Sequence, residues 1–425
     1  MRAALWLMAL FAVAVASALF AGNNHGTVTL YWSPYRVDLS LNLVLMGLAG
    51  TFVTLHFALR ALSALLRIPQ QARSWRRLQK ERSMHTTLLD SLAHLVAGRF
   101  VRARKAAELL VSLEESVRRS GEGLPYAGKL RSIAHLLAAE SAHALQDRPV
   151  REAHFQQALE HASGRDAQDA RDGVQLRGAR WAFDDRDAGA ALHWLEQLPQ
   201  GAARRTVAIR LRFKAARLAG QSRLALETVR LLTKHRAFSE MAGASIARGL
   251  AIELVRSAYD PVQIQRAWDE LDASEQTMPA VAIEAAQRLL AYGGDVATSR
   301  KWLIAVWDAM VEHLDALTPS QRVSLVRVLE SGFGAADAAP DVAWLRRIEA
   351  AQIAHPRDAV LQYLAGIACM HLKLWGKAQQ MLRQSLSLLQ DTDLRRDAWR
   401  ALAQMAEQRQ DSQAAEEAYR EAAKR

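Results

Sequence analysis

"LQYLAGIACMHLKLWGKAQQMLRQSL", residues 361–386, reads as two helices with a turn between them. Gly366 and Cys369 fall on the first helix. Trp375 and Ala378 open the second, and Leu382 and Ser385 follow Ala378 at i+4 and i+7. Small residues let two antiparallel helices approach closely, and a large aromatic fills the gap left beside them. The next stretch, "AWRALAQMAEQRQDSQAAEEAYREAAKR" (398–425), repeats the arrangement. Trp399, Leu402 and Ala403 stand on its first helix, and Ala415, Tyr419 and Ala422 on its second.

This is the tetratricopeptide pattern, W-x2-L-G on one helix and A-x3-F-x2-A on the next, with a usual period of about 34 residues. The marker alanines Ala378 and Ala415 lie 37 apart, which a short connecting insertion explains. Weaker copies lie upstream: Gly220, Ala225, Val229 and Leu232; Ala190 and Trp194; Phe155 and Ala158; Gly98, Phe100 and Ala103. Helices are expected to break at "AGRF", "QDRP", "DDRDAG", "LAGQS" and "YGGD". Such breaks recur roughly every 35 to 50 residues, a repeat-like period. Ala251–Leu317 is helical in pattern but gives no clear phase, and "SGFGAADAAP" (Ser331–Pro340) reads as a flexible break.

Composition agrees. Ala and Leu dominate a chain that is 50% hydrophobic, and Gly and Pro are modest at 22 and 10, so the class is all-α. The single cysteine, Cys369, excludes an intramolecular disulfide framework and any CxxC site. It is read as a small buried hydrophobe on the first helix of its repeat.

The net charge is +11, and its placement decides what it means. Between Arg60 and Lys105, eleven Lys/Arg face only Glu81 and Asp90. Most of the excess is therefore packed beside an apolar stretch. That pattern points to anionic headgroups and topology, whereas a nucleic-acid binder spreads its basic residues over a folded domain with aromatics among them.

Two uncharged runs, Ala3–Ala21 and Leu39–Leu59, are each close to the roughly 20 residues that cross a bilayer core. Tyr31, Trp32 and Tyr35 in the loop between them suit a membrane interface, and "TVTLYW" has strand alternation. The basic run from Arg60 to Arg82 then holds the remainder in the cytoplasm by the positive-inside rule. A cleaved signal peptide ending near "ASA" (16–18) is the competing reading of the first run. The expected layout is a transmembrane two-helix hairpin with a basic juxtamembrane helix over 1–82. A degenerate tetratricopeptide-like α-solenoid follows over 83–330, with C-terminal repeats over 341–425.

"GTVTLYWSPYRVDLSLNLVLM", "LLDSLAHLVAGRF" and the W-G-K-A-x3-L-x2-S-L segment from Trp375 to Leu386 together resemble the proteobacterial HemY family of inner-membrane proteins. The resemblance covers nearly the full chain and implies association with a late step of protoheme synthesis, with late haem-synthesis enzymes as partners. The flavin-dependent protoporphyrinogen oxidase that shares the name needs G-x-G-x-x-G after a strand. "GEGLPY" (Gly121) and "GFGAAD" (Gly332) lack the final Gly, so that reading is rejected.

The sequence nominates no catalytic, cofactor-binding or metal-ligating residue. No nucleophile elbow, HExxH or Walker A loop occurs. His154 and His161, seven apart with His143 nearby, invite a haem-ligand role, but a haem site also needs a shaped apolar pocket. Glu114–Glu115 and Asp184–Asp185 are expected at turns or exposed helix ends. The expectation is a non-enzymatic scaffold in the bacterial inner membrane, its bulk cytoplasmic, with protein partners and headgroup contacts at the basic helix. A porphyrin carrier and a general envelope adaptor are the alternatives.

Overall fold

Alanine-rich, apolar-striped segments punctuated by Gly, Asp and Pro fold as a chain of antiparallel helix pairs. The computed structural model describes residues 2–22, 25–121, 123–164, 167–333 and 342–424, and side chains outside 2–5, 7, 20–21 and 64–74. Contacts gather the chain into two compact units, Met1–Gln168 and Asp169–Arg425.

In the first unit, α1 (Arg2–Gly22) leads to a two-stranded antiparallel hairpin, β1 (Thr27–Trp32) and β2 (Tyr35–Ser40). The register pairs Thr27 with Ser40 and Trp32 with Tyr35. Only the first strand was legible in the sequence; "YRVDLS" is its partner. Ser40 ends β2 and caps α2 (Leu41–Val96), its hydroxyl accepting from Leu43 N at 3.3 Å.

Helix α2 runs unbroken through the expected juxtamembrane boundary at 82/83, so the basic helix is the middle of a longer one. Its first part, Leu41–Ser63, is the one stretch among the described residues long and apolar enough to cross a membrane. The other expected span corresponds to α1, whose described apolar run is the shorter Met8–Leu19. The last turns of α2 pack on α3 (Phe100–Arg119), followed by α4 (Ala127–Ala144) and α5 (Arg148–His161). Met84, Leu110, Val117, Leu130 and Ala134 form the core between α2, α3 and α4.

The second unit continues through α6 (Gln168–Asp184), α7 (Ala188–Glu196), α8 (Gln200–Ala203), α9 (Thr206–Leu218), α10 (Ser222–Lys234), α11 (Glu240–Arg256), α12 (Pro261–Asp269) and α13 (Ala273–Gln276). It is completed by α14 (Pro279–Ala291), α15 (Val296–Glu312), α16 (Pro319–Ser331), α17 (Val342–Ala354), α18 (Ala359–His371), α19 (Trp375–Leu386), α20 (Thr392–Gln408) and α21 (Ser412–Ala423). The expected break at Ser331–Pro340 begins as Ser331 closes α16; its residues 334–340 lie outside the described residues.

The five expected breaks are all turns within helix pairs, and each holds a left-handed residue: Gly98, Gln146, Arg186, Gly220 and Gly293. Lys373 and Gln410 do the same in the C-terminal pairs. The amide after each reaches back five residues, as in Asp147 N to Ala142 O (2.9 Å), Leu374 N to Cys369 O (2.9 Å) and Asp411 N to Ala406 O (3.0 Å). That bond satisfies a helix-end carbonyl. Asp147, Asp187 and Asp411 then cap the next helix, accepting from Val150, Ala190 and Ala414 N. One dipeptide thus ends one helix and starts another.

Five residues past the left-handed position stands a buried alanine: Ala103, Ala191, Ala225, Ala378 and Ala415. The sequence placed Ala190 in this role; the turn at Arg186 gives it to Ala191, and Ala190 is half-buried. The α11–α12 connection has no left-handed residue among those described and is closed by Asp260, whose side chain accepts from Gln263 N at 2.8 Å as Pro261 opens α12. That is why Ala251–Leu317 gave no phase.

Candidate functional site

The first helices of successive pairs in the second unit touch in order: α11 on α14, α14 on α16, α16 on α18 and α18 on α20. Such stacking lines up one helix per pair along a common face. Along it runs a cleft of about 780 Å³ lined by Arg322, Arg327, Arg357, Asp358, Asp391 and Asp393, among others. A second cleft of about 680 Å³, lined from α14 and α15, shares Ser324 and Arg327 with the first. The two are parts of one groove.

Its charges are paired across helices. Asp358 caps α18, accepting from Val360 N (3.1 Å) and Leu361 N (2.9 Å), and also pairs with Arg322 of α16. Asp391 caps α20, accepting from Asp393 N (3.1 Å) and Leu394 N (2.8 Å). Arg327 of α16 reaches Asp393 at 3.3 Å and Asp391 at 3.9 Å. A carboxylate at a helix N-terminus meets orphan amides and the positive dipole end, so these aspartates hold position while facing arginine.

Deeper in, Tyr363 of α18 is fully buried and donates to Glu330 of α16 at 2.7 Å. Burial pushes the Glu330 carboxyl up, against the Tyr363 hydrogen bond, with Asp397 of α20 adding to the rise. Burial and the Glu330 charge push the Tyr363 hydroxyl well above its ordinary range. The groove brings guanidinium and carboxylate groups together along helix starts of the array.

In the first unit the histidines sit differently from the sequence expectation. His154 and His161 of α5 flank His135 of α4, which the sequence reading missed. His135 Nδ1 lies 3.0 Å from His154 Nδ1, and its ring stacks on His161 at 5.6 Å between centroids. His143 turns elsewhere, its Nδ1 3.1 Å from Arg151 Nη1. Burial, then His154, His161 and Arg131, push His135 down to about 4. Burial also lowers His154, opposed by Glu108, and lowers His161, aided by Arg131. These are neutral rings packed between helices. Among the described residues no group of three or more His, Cys, Asp or Glu is placed to hold a metal ion.

Glu114 corrects the expectation of exposed carboxylates. It is buried on α3 and meets Arg131 Nε at 2.8 Å, and burial raises its carboxyl pKa against the pull of Arg131. Glu115 beside it is half-buried and pairs with Arg119 at 2.9 Å. Asp184 ends α6, exposed, and pairs with Arg180 at 3.1 Å. Cys369 is fully buried against the second helix of its pair, as expected.

Fold and groove define a helical-repeat protein of tetratricopeptide type with an apolar helix near its N-terminal end. Residues 26–146 match the family model described as HemY protein N-terminus. Over that region, less than a third of the chain, it is similar to the HemY family. No curated protein matches its sequence.

Among solved structures the chain is similar to the Naa15/Naa10 complex bound to HypK-THB, at 12% identity and TM-score 0.24, covering 78% of this chain and 56% of that one. It is similar to the Cut9–Hcn1 hetero-tetramer of APC/C, at 14% identity and TM-score 0.28, covering 80% and 66%. It is also similar to the P58(IPK) TPR domain, at 13% identity and TM-score 0.21, covering 80% and 99%. The chain spans 56% and 66% of the first two. With scores this low, the repeat assignment rests on the helix pairs themselves.

Proposed function

We propose that this chain is a non-enzymatic scaffold of the bacterial inner membrane that supports a late step of protoheme IX biosynthesis. Its repeat array holds protein partners at the cytoplasmic face. The supporting observation is the groove along α14, α16, α18 and α20, with its floor of Asp-capped helix starts facing Arg322 and Arg327. α2 crosses the bilayer over Leu41–Ser63, α1 supplies the second span of a hairpin, and the β1–β2 strands lie on the far side. The turn nearest the span end, with Arg60, contacts anionic headgroups. The haem connection is carried over from the HemY family that residues 26–146 resemble.

Pull-down of tagged full-length protein after in-cell crosslinking, with an absorption spectrum of the same eluate, tests this. A colourless eluate enriched in late haem-synthesis enzymes is expected. A Soret band without those enzymes replaces the scaffold with a porphyrin carrier. Envelope proteins without either make the chain a general adaptor.

A further inference from the structure

Helix α2 places a basic surface too far from the bilayer to be neutralised by lipid. The apolar stretch read as the span ends at Ser63, and the helix continues without interruption to Val96. At about 1.5 Å rise per residue, Lys80 stands about 25 Å beyond Ser63 along the axis. A tilt of about 40°, the upper end for membrane helices, still leaves about 19 Å of height. Headgroups add only about 5–8 Å beyond the hydrocarbon edge, and the Debye length is about 8 Å at physiological salt. At that tilt Arg76 and Arg77 stand about 15–16 Å up, at the limit of that reach, and Lys80 and Arg82 lie beyond it.

The antiparallel α3 brings more charge to the same end of the unit. Ser91 of α2 donates to Ala103 O at 3.0 Å, so α3 starts beside the far part of α2 and runs back towards the span. Met84 meets Leu110 and Val117, which sets the α3 C-terminus, with Arg118 and Arg119, level with the basic turns of α2. Both arginine side chains are more than half exposed. Glu81, on Arg77 at 3.1 Å, and Glu115, on Arg119 at 2.9 Å and Arg118 at 3.7 Å, pair with part of these six charges, and buried Glu114, held by Arg131, also attracts Arg118.

We infer that this end of the first unit docks the acidic cytoplasmic face of another membrane protein, seated beside α2 between the bilayer and the α3–α4 end of the unit. The occupant is a membrane protein because α2 fixes this surface at a set height of about 20 Å over the bilayer, where the water-exposed part of a neighbouring membrane protein meets it and headgroups do not. It is acidic because the surface is not self-neutralised. The inference rests on the anchored reading of α2.

A photo-crosslinking residue at exposed Gln79, in the full chain in its native membrane, tests it. A protein adduct is expected whose crosslinked peptide is acidic and comes from an integral membrane protein. The double reversal R76E/R119E should cut its yield about tenfold, while R76K/R119K keeps it, separating charge from misfolding. Adducts only with phospholipid or nuclease-sensitive material overturn the inference, as does a protein adduct indifferent to charge reversal. Carbonate extraction of the same cells reports on anchoring: chain released by carbonate overturns the anchored reading itself, independently of the adducts.

Discussion

A methyl group on Gly366 would lie 2.7 Å from Leu382 Cγ and 3.2 Å from the Leu382 amide. Backbone on one side and a fully buried leucine on the other leave little to give. Gly366→Ala should destabilise the α18–α19 pair by about 1–3 kcal/mol, seen as faster hydrogen exchange across 359–386 with distant helices unchanged. This close approach was legible because both partners lie in one hairpin at fixed spacing.

His135 was not legible, because its partners come from the next helix and its own helix shows only an Ala-rich pattern. Its depressed pKa fixes a sign. The folded protein binds fewer protons than the unfolded chain between about 4 and 6.5, so stability is complete above 6.5 and falls as pH drops through that window. The full shift corresponds to at most about 3 kcal/mol, and partial exposure of its neighbours reduces the expected loss to about 1–2 kcal/mol. His135→Leu should flatten the pH dependence of exchange protection over 127–161. An unchanged acid sensitivity would locate the titrating group elsewhere.

Helix pairs owe their sharp turns to residues that tolerate a left-handed backbone at a cost. Gln146, Arg186, Lys373 and Gln410 adopt φ near 60° with side chains attached, against a penalty of about 1–2 kcal/mol. Gln410→Gly should stabilise the α20–α21 pair by about 0.5–1 kcal/mol, after the entropy Gly loses on folding, measured as slower exchange across 392–423. Asp187→Ala should do the reverse at α7, at about 1 kcal/mol for the lost cap. Gly or Asp marked most turns of this dipeptide pattern in the sequence; the Lys373–Leu374 turn has neither and was legible from Trp375 and Ala378 after it. The α11–α12 turn uses a different closure and left no signal. Strand β2 was missed because its pattern is shared with the helix start that follows it, and the unbroken α2 because a change from apolar to basic reads as a boundary although the backbone has no reason to stop.

At the level of the whole molecule, the described structure has one helix able to cross a membrane and a groove in a different compact unit. Deleting residues 2–22 should leave the chain in the carbonate-resistant pellet through α2, whereas adding Leu48→Arg and Leu55→Arg to that deletion should release it, each charge costing about 3 kcal/mol at the span centre. Loss of the pellet on deleting 2–22 would show that α1 is needed for anchoring.

The continuity of α2 ties rotation to length. Each residue added between positions 64 and 83 lifts the first helix pairs by about 1.5 Å and swings them about 100° around the helix axis. Insertion of two residues should turn the Arg118–Arg119 end to nearly the opposite azimuth. Insertion of seven returns it to within about 20° of its starting direction. Tolerance to length in this stretch should therefore be periodic: seven-residue insertions preserve which side of the array faces a neighbour in the membrane, and two-residue insertions do not.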